Sequence, residues 1–160
     1  MKNLKLFFWA LIIQIFILNN IQLSGYINPY YYIVFILYFP TKSTKSTILL
    51  LSFTMGFIMD IFCYSYGTHA FASVLMAYLK ILWTSKLNYS KDSEELFEIN
   101  NLSMNRFIIV SIYFIFIHHF TLFFLESFSF KELFLVIQTT LASSILTLIL
   151  VVIHKFLTNK

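Results

Sequence analysis

The stretch Tyr26-Ile27-Asn28-Pro29-Tyr30-Tyr31-Tyr32-Ile33-Val34-Phe35-Ile36-Leu37-Tyr38-Phe39-Pro40 decides how the chain is read. It is apolar, but short. A helix through a bilayer core needs about 20 residues, with a range of about 17–25. Asn28-Pro29 and Pro40 punctuate the run, so its usable part, about 26–39, falls below that range. If the segment crosses, the chain has an even number of spans. If it turns back as a re-entrant hairpin, every later loop changes sides.

Composition makes the membrane reading necessary. The chain has 160 residues, of which 59% are apolar, 20% aromatic and only 11% charged. Its mean hydropathy is +0.82. A soluble domain carries about 25% charged residues, so too few charges exist here to cover a water-facing surface. Disorder fails for the opposite reason, an excess of apolar side chains. With 3 Gly and 2 Pro, fibrous and low-complexity classes fail too. A lone cysteine, Cys63, rules out a disulfide within the chain and a multi-cysteine metal site.

The remaining apolar runs set out an all-α membrane protein: one integral membrane domain over 1–160 with six transmembrane helices in one bundle. The expected spans are about 4–20, 26–39, 46–64, 69–84, 106–125 and 133–153, with a polar loop over 85–105. Lys2 and Lys5 before the first run also suit a signal peptide. No small-x-small cleavage site follows in Asn19-Asn20-Ile21-Gln22-Leu23, which favours an uncleaved first span. In the polar loop, Ser90 to Phe97 suits either a solvated linker or an amphipathic turn capped by Asp92 or Ser93.

Basic residues settle the parity. With six spans, Lys2, Lys5, Lys42, Lys45, Lys80, Lys86, Lys91, Arg106, Lys155 and Lys160 share one side, and only Lys131 lies on the other. Lys and Arg collect on the cytoplasmic side. The expectation is therefore that the short segment crosses and that both termini are cytoplasmic. Topology accounts for the net positive charge, so nucleic-acid binding has no support.

An ionisable side chain at membrane depth is costly and marks a functional candidate. Asp60 lies on the third span. Ser52, Gly56, Asp60 and Tyr64 recur every four residues and share one helix face. After the turn, His69, Ser73 and Ala77 make a similar small stripe on the fourth span, so the two helices are expected to pack as a tight hairpin. Asp60 near His69 then reads either as a polar spot that binds a partner or solute, or as a buried pair that fixes the hairpin. The fifth span adds His118, His119 and Glu126. Adjacent histidines point about 100° apart, so both cannot serve one partner equally. A metal set of Asp60, His69, His119 and Glu126 lacks the local His-x-x-x-His or Cys-pair spacing that zinc sites favour, and no metal is expected. Gln14, Gln138, Thr140, Ser144 and Thr147 read as interhelical hydrogen-bonding groups. No G-x-S-x-G, His-Glu-x-x-His or phosphate-cradling glycine loop is present, so no catalytic residue is expected.

At Asn28-Pro29-Tyr30, Gly56-Phe57-Ile58-Met59-Asp60-Ile61-Phe62, Gly67-Thr68-His69-Ala70 and Ala77-Tyr78, the chain resembles the MreD family of bacterial rod shape-determining membrane proteins. The run from His118-His119-Phe120 to Phe123-Phe124-Leu125-Glu126 resembles a branch of that family. The likeness covers essentially the whole chain. It implies a non-catalytic scaffold of the cell-elongation machinery in the bacterial cytoplasmic membrane, without a cofactor. It also implies MreC as partner, with RodA, a class B penicillin-binding protein and, indirectly, the MreB cytoskeleton serving lateral peptidoglycan synthesis. The implied fold resembles the substrate-binding subunits of energy-coupling-factor vitamin transporters, and such a transporter subunit is the alternative function. Gly56, Asp60, Gly67 and His69 match the motif. The implied mechanism docks a partner's single transmembrane helix in a groove of the bundle, with Asp60 and His69 shaping its outer end.

Overall fold

The computed structural model describes residues 2–21, 27–41, 43–87 and 98–158. The described residues form six α-helices: α1 Lys2–Phe16, α2 Ile33–Tyr38, α3 Lys45–Cys63, α4 Thr68–Leu87, α5 Met104–Ser127 and α6 Leu133–Thr158. Short 3-10 turns cover Leu18–Asn20, Ile99–Asn101 and Phe130–Glu132. Four helical stretches are long and apolar enough to cross a membrane: Asn3–Asn20, Lys45–Cys63, Met104–Ser127 and Phe130–Thr158. The chain is a helical membrane protein. α4 is as long as α3 but more polar, because its inward face carries His69, Ser73, Lys80 and Thr84. The loop expected over 85–105 is shorter at both ends, since α4 runs on to Leu87 and α5 starts at Met104. The proposed cap at Asp92 or Ser93 lies outside the described residues.

Packing follows chain order. α3 lies on α4, α4 on α5 and α5 on α6, while α1 rests on α3. In the middle sits α2, touching α1, α4 and α5. All six of its residues are buried, Ile33 to Leu37 almost completely. This segment departs most from the sequence expectation. A helix over 26–39 is expected, yet α2 has only six residues, about 9 Å of rise.

The reason is Pro29. It has no N–H to give, and it biases Asn28 away from helical dihedrals. The chain ahead of α2 runs extended instead. Asn28 N–H donates to Ser143 Oγ (3.1 Å), and two residues on Tyr30 N–H donates to Thr147 Oγ1 (3.0 Å). Those acceptors stand four residues apart on α6, about 6 Å. Two residues therefore advance about 6 Å, the rate of an extended strand. Three i→i+3 bonds, Ile33 to Tyr30, Val34 to Tyr31 and Phe35 to Tyr32, then tighten the chain into α2.

Non-helical backbone at membrane depth survives only where protein satisfies its polar groups. Here side chains from three helices do so. Gln14 of α1 accepts from Tyr32 N–H through Oε1 (3.3 Å) and donates through Nε2 to Pro29 O (3.1 Å). Ser143 and Thr147 of α6 take the N–H groups named above. At the far end, Lys80 of α4 donates through Nζ to the carbonyls of Ile36 (3.0 Å), Leu37 (2.8 Å) and Phe39 (2.5 Å). These are the orphan carbonyls of the α2 C-terminus, where a cation is favoured by the helix dipole. Lys155 of α6 plays a similar part. It is 1% exposed, bonds the carbonyls of Ile99, Asn100 and Leu102, and lies 4.9 Å from the centre of the Phe107 ring. Both lysines were read from sequence as orientation charges. They are also structural ammonium caps.

Lys80→Met keeps the length of the side chain but leaves three buried carbonyls without their donor. The expected loss is about 2–4 kcal/mol, read as a lowered thermal midpoint in detergent. Lys86→Met, on an exposed position of the same helix, is expected to stay within about 0.5 kcal/mol of wild type.

Candidate functional site

α3 ends one turn beyond Asp60. Tyr64 takes left-handed dihedrals (φ 56°) and its N–H bonds to Asp60 O. Ser65 N–H bonds to the same carbonyl (3.2 Å). Tyr66 (φ 52°) and Gly67 (φ 96°) are also left-handed. The chain thus reverses within a few residues, and α4 starts at Thr68. Gly67 is the residue type that adopts such dihedrals without strain. Tyr64, expected on the inner face with Gly56 and Asp60, is 84% exposed because it has left the helix.

This turn carries the first backbone N–H groups of α4 onto the Asp60 carboxylate. Oδ1 accepts from His69 N–H (2.9 Å) and Oδ2 from Ala70 N–H (2.9 Å). Ser65 Oγ–H adds a third bond to Oδ1 (2.6 Å). The first N–H groups of any helix lack internal partners, and the positive end of its dipole favours an anion. Asp60 therefore caps α4 from the neighbouring helix. Of the two readings open for this residue, the hairpin-fixing one describes the geometry.

The Ser65 hydroxyl donates to Asp60, so it can only accept from His69. His69 Nδ1–H supplies that bond (2.7 Å), with Asp60 Oδ1 at 3.3 Å as a longer second acceptor. This tautomer leaves Nε2 as an acceptor, and Nε2 is buried without a hydrogen-bond partner. Gly56 explains how α3 and α4 come so close. A Cβ there would lie 2.5 Å from Ala70 Cα and 2.5 Å from His69 O. The expected small-residue contact is present, with Ser52, Ser73 and Ala77 fully buried.

His118 and His119 join the same cluster. His118 Nε2 pairs with Tyr32 Oη (2.8 Å), and its Nδ1 is buried without a partner. His119 Nδ1 lies 2.9 Å from Ile115 O, an acceptor only, so Nδ1 carries the proton. Its Nε2 then accepts from Thr147 Oγ1–H (3.1 Å), the hydroxyl that also receives Tyr30 N–H. The adjacent histidines indeed have different hydrogen-bond partners. Both still touch one ring, because Tyr30 is broad enough to reach His69 (5.2 Å between centroids), His119 (5.4 Å) and His118 (6.4 Å).

Glu126 stands apart. It is exposed, at the mouth of a polar pocket of about 310 Å³ whose other walls include Asn19, Asn28, Tyr30, Cys63 and His69. The structure thus brings His69, His118 and His119 around Tyr30, ties Asp60 to them through His69, and places Glu126 across the pocket. Among the described residues, no three His, Cys, Asp or Glu side chains converge on a point suited to a metal ion. Sequence reading missed Tyr30 and Tyr32 as the hub of the cluster. Three consecutive tyrosines after a proline are the available signal, in a chain that holds ten tyrosines.

Comparison with protein-family models, curated proteins and solved structures returned no match.

Asp60→Ala strips partners from two buried N–H groups and from Ser65. The expected destabilisation is on the order of 3 kcal/mol, with Asp60→Asn losing less because its amide oxygen still accepts one bond. Gly56→Ala places a methyl group against fixed backbone and is expected to cost about 1–3 kcal/mol. Thermal unfolding in detergent measures both, and additivity of the pair fails if the α3–α4 contact and the cap act as one unit.

Proposed function

We propose that this protein is a non-catalytic membrane scaffold of the MreD type, which binds MreC and supports rod shape and lateral peptidoglycan synthesis. One observation carries the reading. The motif residues Gly56, Asp60, Gly67 and His69 make a single mechanical unit: a close helix contact, a cross-helix cap, a reversal and a hydrogen-bonded imidazole. The Asp60 carboxylate is occupied by the next helix, which suits a rigid frame rather than a reacting group.

The proposed topology has six crossings, with both termini in the cytoplasm of a bacterial inner membrane. The second crossing combines extended chain at Ile27–Tyr30, the turn and helix of 31–38, and extended Phe39. At about 3.3 Å per extended residue and 1.5 Å per helical one, this covers close to the 30 Å of a bilayer core. Supporting the same orientation, Lys45 lines one cavity with Lys80 and Thr84, and Asn3 lines another with Glu98 and Thr158. The start of α1, the start of α3 and the ends of α4 and α6 therefore share the basic end. MreC is the expected direct partner, packing its single helix on the lipid-facing surface, with RodA, the class B penicillin-binding protein and MreB reached through the complex.

The outer polar pocket beside His69 supports a second reading, a substrate-binding subunit of an energy-coupled vitamin-type transporter. Co-expression of the full chain with MreC, followed by affinity purification and size-exclusion chromatography, separates the two. The scaffold reading expects stable co-elution and restoration of rod shape in cells depleted of their own MreD. Failure of both, with saturable binding of a small solute to the purified chain, overturns it in favour of the transporter.

A further inference from the structure

Two outward-facing tyrosines have hydroxyls that take no part in holding the bundle together. Tyr78 of α4 is 49% exposed and Tyr113 of α5 is 54% exposed. Neither hydroxyl has a hydrogen-bond partner among the described residues. α4 packs between α3 and α5, which are both long and apolar enough to cross a membrane, so it shares their depth. Tyr78 stands ten residues from the start of α4 and nine from its end, about 15 Å and 14 Å. Tyr113 stands nine residues from the start of α5, about 14 Å. Both lie near the middle of a hydrocarbon core about 30 Å thick.

The other outward faces differ. On α3 the exposed residues Leu50, Phe53, Phe57 and Ile61 are apolar, and the Thr54 hydroxyl donates to Leu50 O (2.9 Å). On α1 the polar residue at that depth, Gln14, is buried. On α6 Gln138 is exposed, but only five residues from the start of the helix, about 8 Å. Side chains tilt toward the helix N-terminus, so a long amide there meets the head groups. Beyond it Leu141, Ile145 and Ile149 are apolar. Among the described residues, the α4–α5 face is the outward surface with unpaired hydroxyls at mid-depth. Lipid tails offer them no partner, and a hydroxyl in hydrocarbon is unfavourable until another protein group pairs with it.

Trp83 of α4 and Phe114 of α5 meet with ring centroids 5.9 Å apart, which sets the register of the two helices. Tyr78 lies five residues outward of Trp83, and Tyr113 one residue inward of Phe114. The two tyrosines are therefore offset by about 9 Å along the helix axes. Phe71, Leu82, Ile109 and Phe116 are exposed on the same face. We propose that this α4–α5 face receives one transmembrane helix of a partner, whose hydroxyl or amide side chains, two turns apart, pair with Tyr78 and Tyr113. Two turns rise about 11 Å, which matches the offset within the reach of a side chain. Hydroxyls and amides both donate and accept, as a phenol does. The surrounding apolar residues pack against helix or lipid alike, so the hydroxyls choose the face. The proposal rests on the scaffold reading, in which MreC brings one such helix.

The full chain is co-expressed with MreC, purified and reconstituted in nanodiscs. Failure of the wild-type chain to co-elute with MreC is failure of the scaffold reading, and it overturns the proposal as well. Given co-elution, a benzoylphenylalanine photo-cross-linker in place of Ile109 is expected to capture the MreC helix. The same group in place of Phe57 on α3 or Ile145 on α6 is expected to capture none. Tyr78→Phe combined with Tyr113→Phe removes only the two hydroxyls. At the average strength of interhelical hydrogen bonds in membranes, it is expected to weaken the complex about eightfold, with the thermal midpoint of the chain alone unchanged. No capture from position 109, capture from 57 or 145 instead, or full affinity of the double variant overturns the proposal and leaves the scaffold reading standing. So does capture of a second copy of this chain from position 109, which assigns the face to self-association.

Discussion

The structure depends on keeping a broken stretch of backbone dry. From Ile27 to Phe39 the chain runs through the centre of the bundle as extended segment, turn and short helix, and outside the turn and helix it cannot supply its own hydrogen bonds. Each N–H and C=O left bare in an apolar interior costs several kcal/mol. The polar side chains of the surrounding helices stand where those groups need them: Gln14 at Pro29 and Tyr32, Ser143 and Thr147 at Asn28 and Tyr30, and Lys80 at the end of α2. In exchange, the segment fills the core with Ile33, Val34, Phe35, Ile36 and Leu37. The central segment and its surrounding helices specify one another.

Charge follows the same logic. Asp60 meets the N-terminus of α4, Lys80 the C-terminus of α2, and Lys155 the carbonyls around the 3-10 turn Ile99–Asn101. Each ion faces the dipole sign that favours it. An ionisable group inside a membrane is a sound pointer to importance, but here its importance is architectural. An interrupted helix exposes unpaired backbone groups, and a charged side chain is the strongest partner available for them.

Much of this was legible in the sequence. Hydropathy placed five of the six helices to within a few residues, because a long apolar run has few alternatives. Spacing put Gly56 and Asp60 on one face and foretold the tight hairpin, since helical period alone fixes that geometry. The length and form of α2 were not legible. Apolar residues look alike in helical and extended backbone, and only Pro29 hinted at the difference. Nor could one sequence show that Gln14 and Thr147 bond a broken backbone rather than each other's helices. That depends on contacts 15 and 18 residues apart for Gln14 and 117 apart for Thr147, and no local pattern encodes them. The clustering of His118 and His119 about Tyr30 was hidden for the same reason.

Those long separations bear on how the protein is made. Asn28 and Tyr30 leave the ribosome long before Ser143 and Thr147, their partners 115 and 117 residues later. At about 5–20 residues per second, the interval is roughly 6–23 s. Through that time the N–H groups of the central segment have no α6 to meet, and lipid offers them nothing. The segment needs other hydrogen-bond partners until the last helix arrives. The α3–α4 hairpin needs no such delay, because Asp60 and Ala70 are only ten residues apart. Assembly therefore begins at the hairpin and closes when α6 seals the centre.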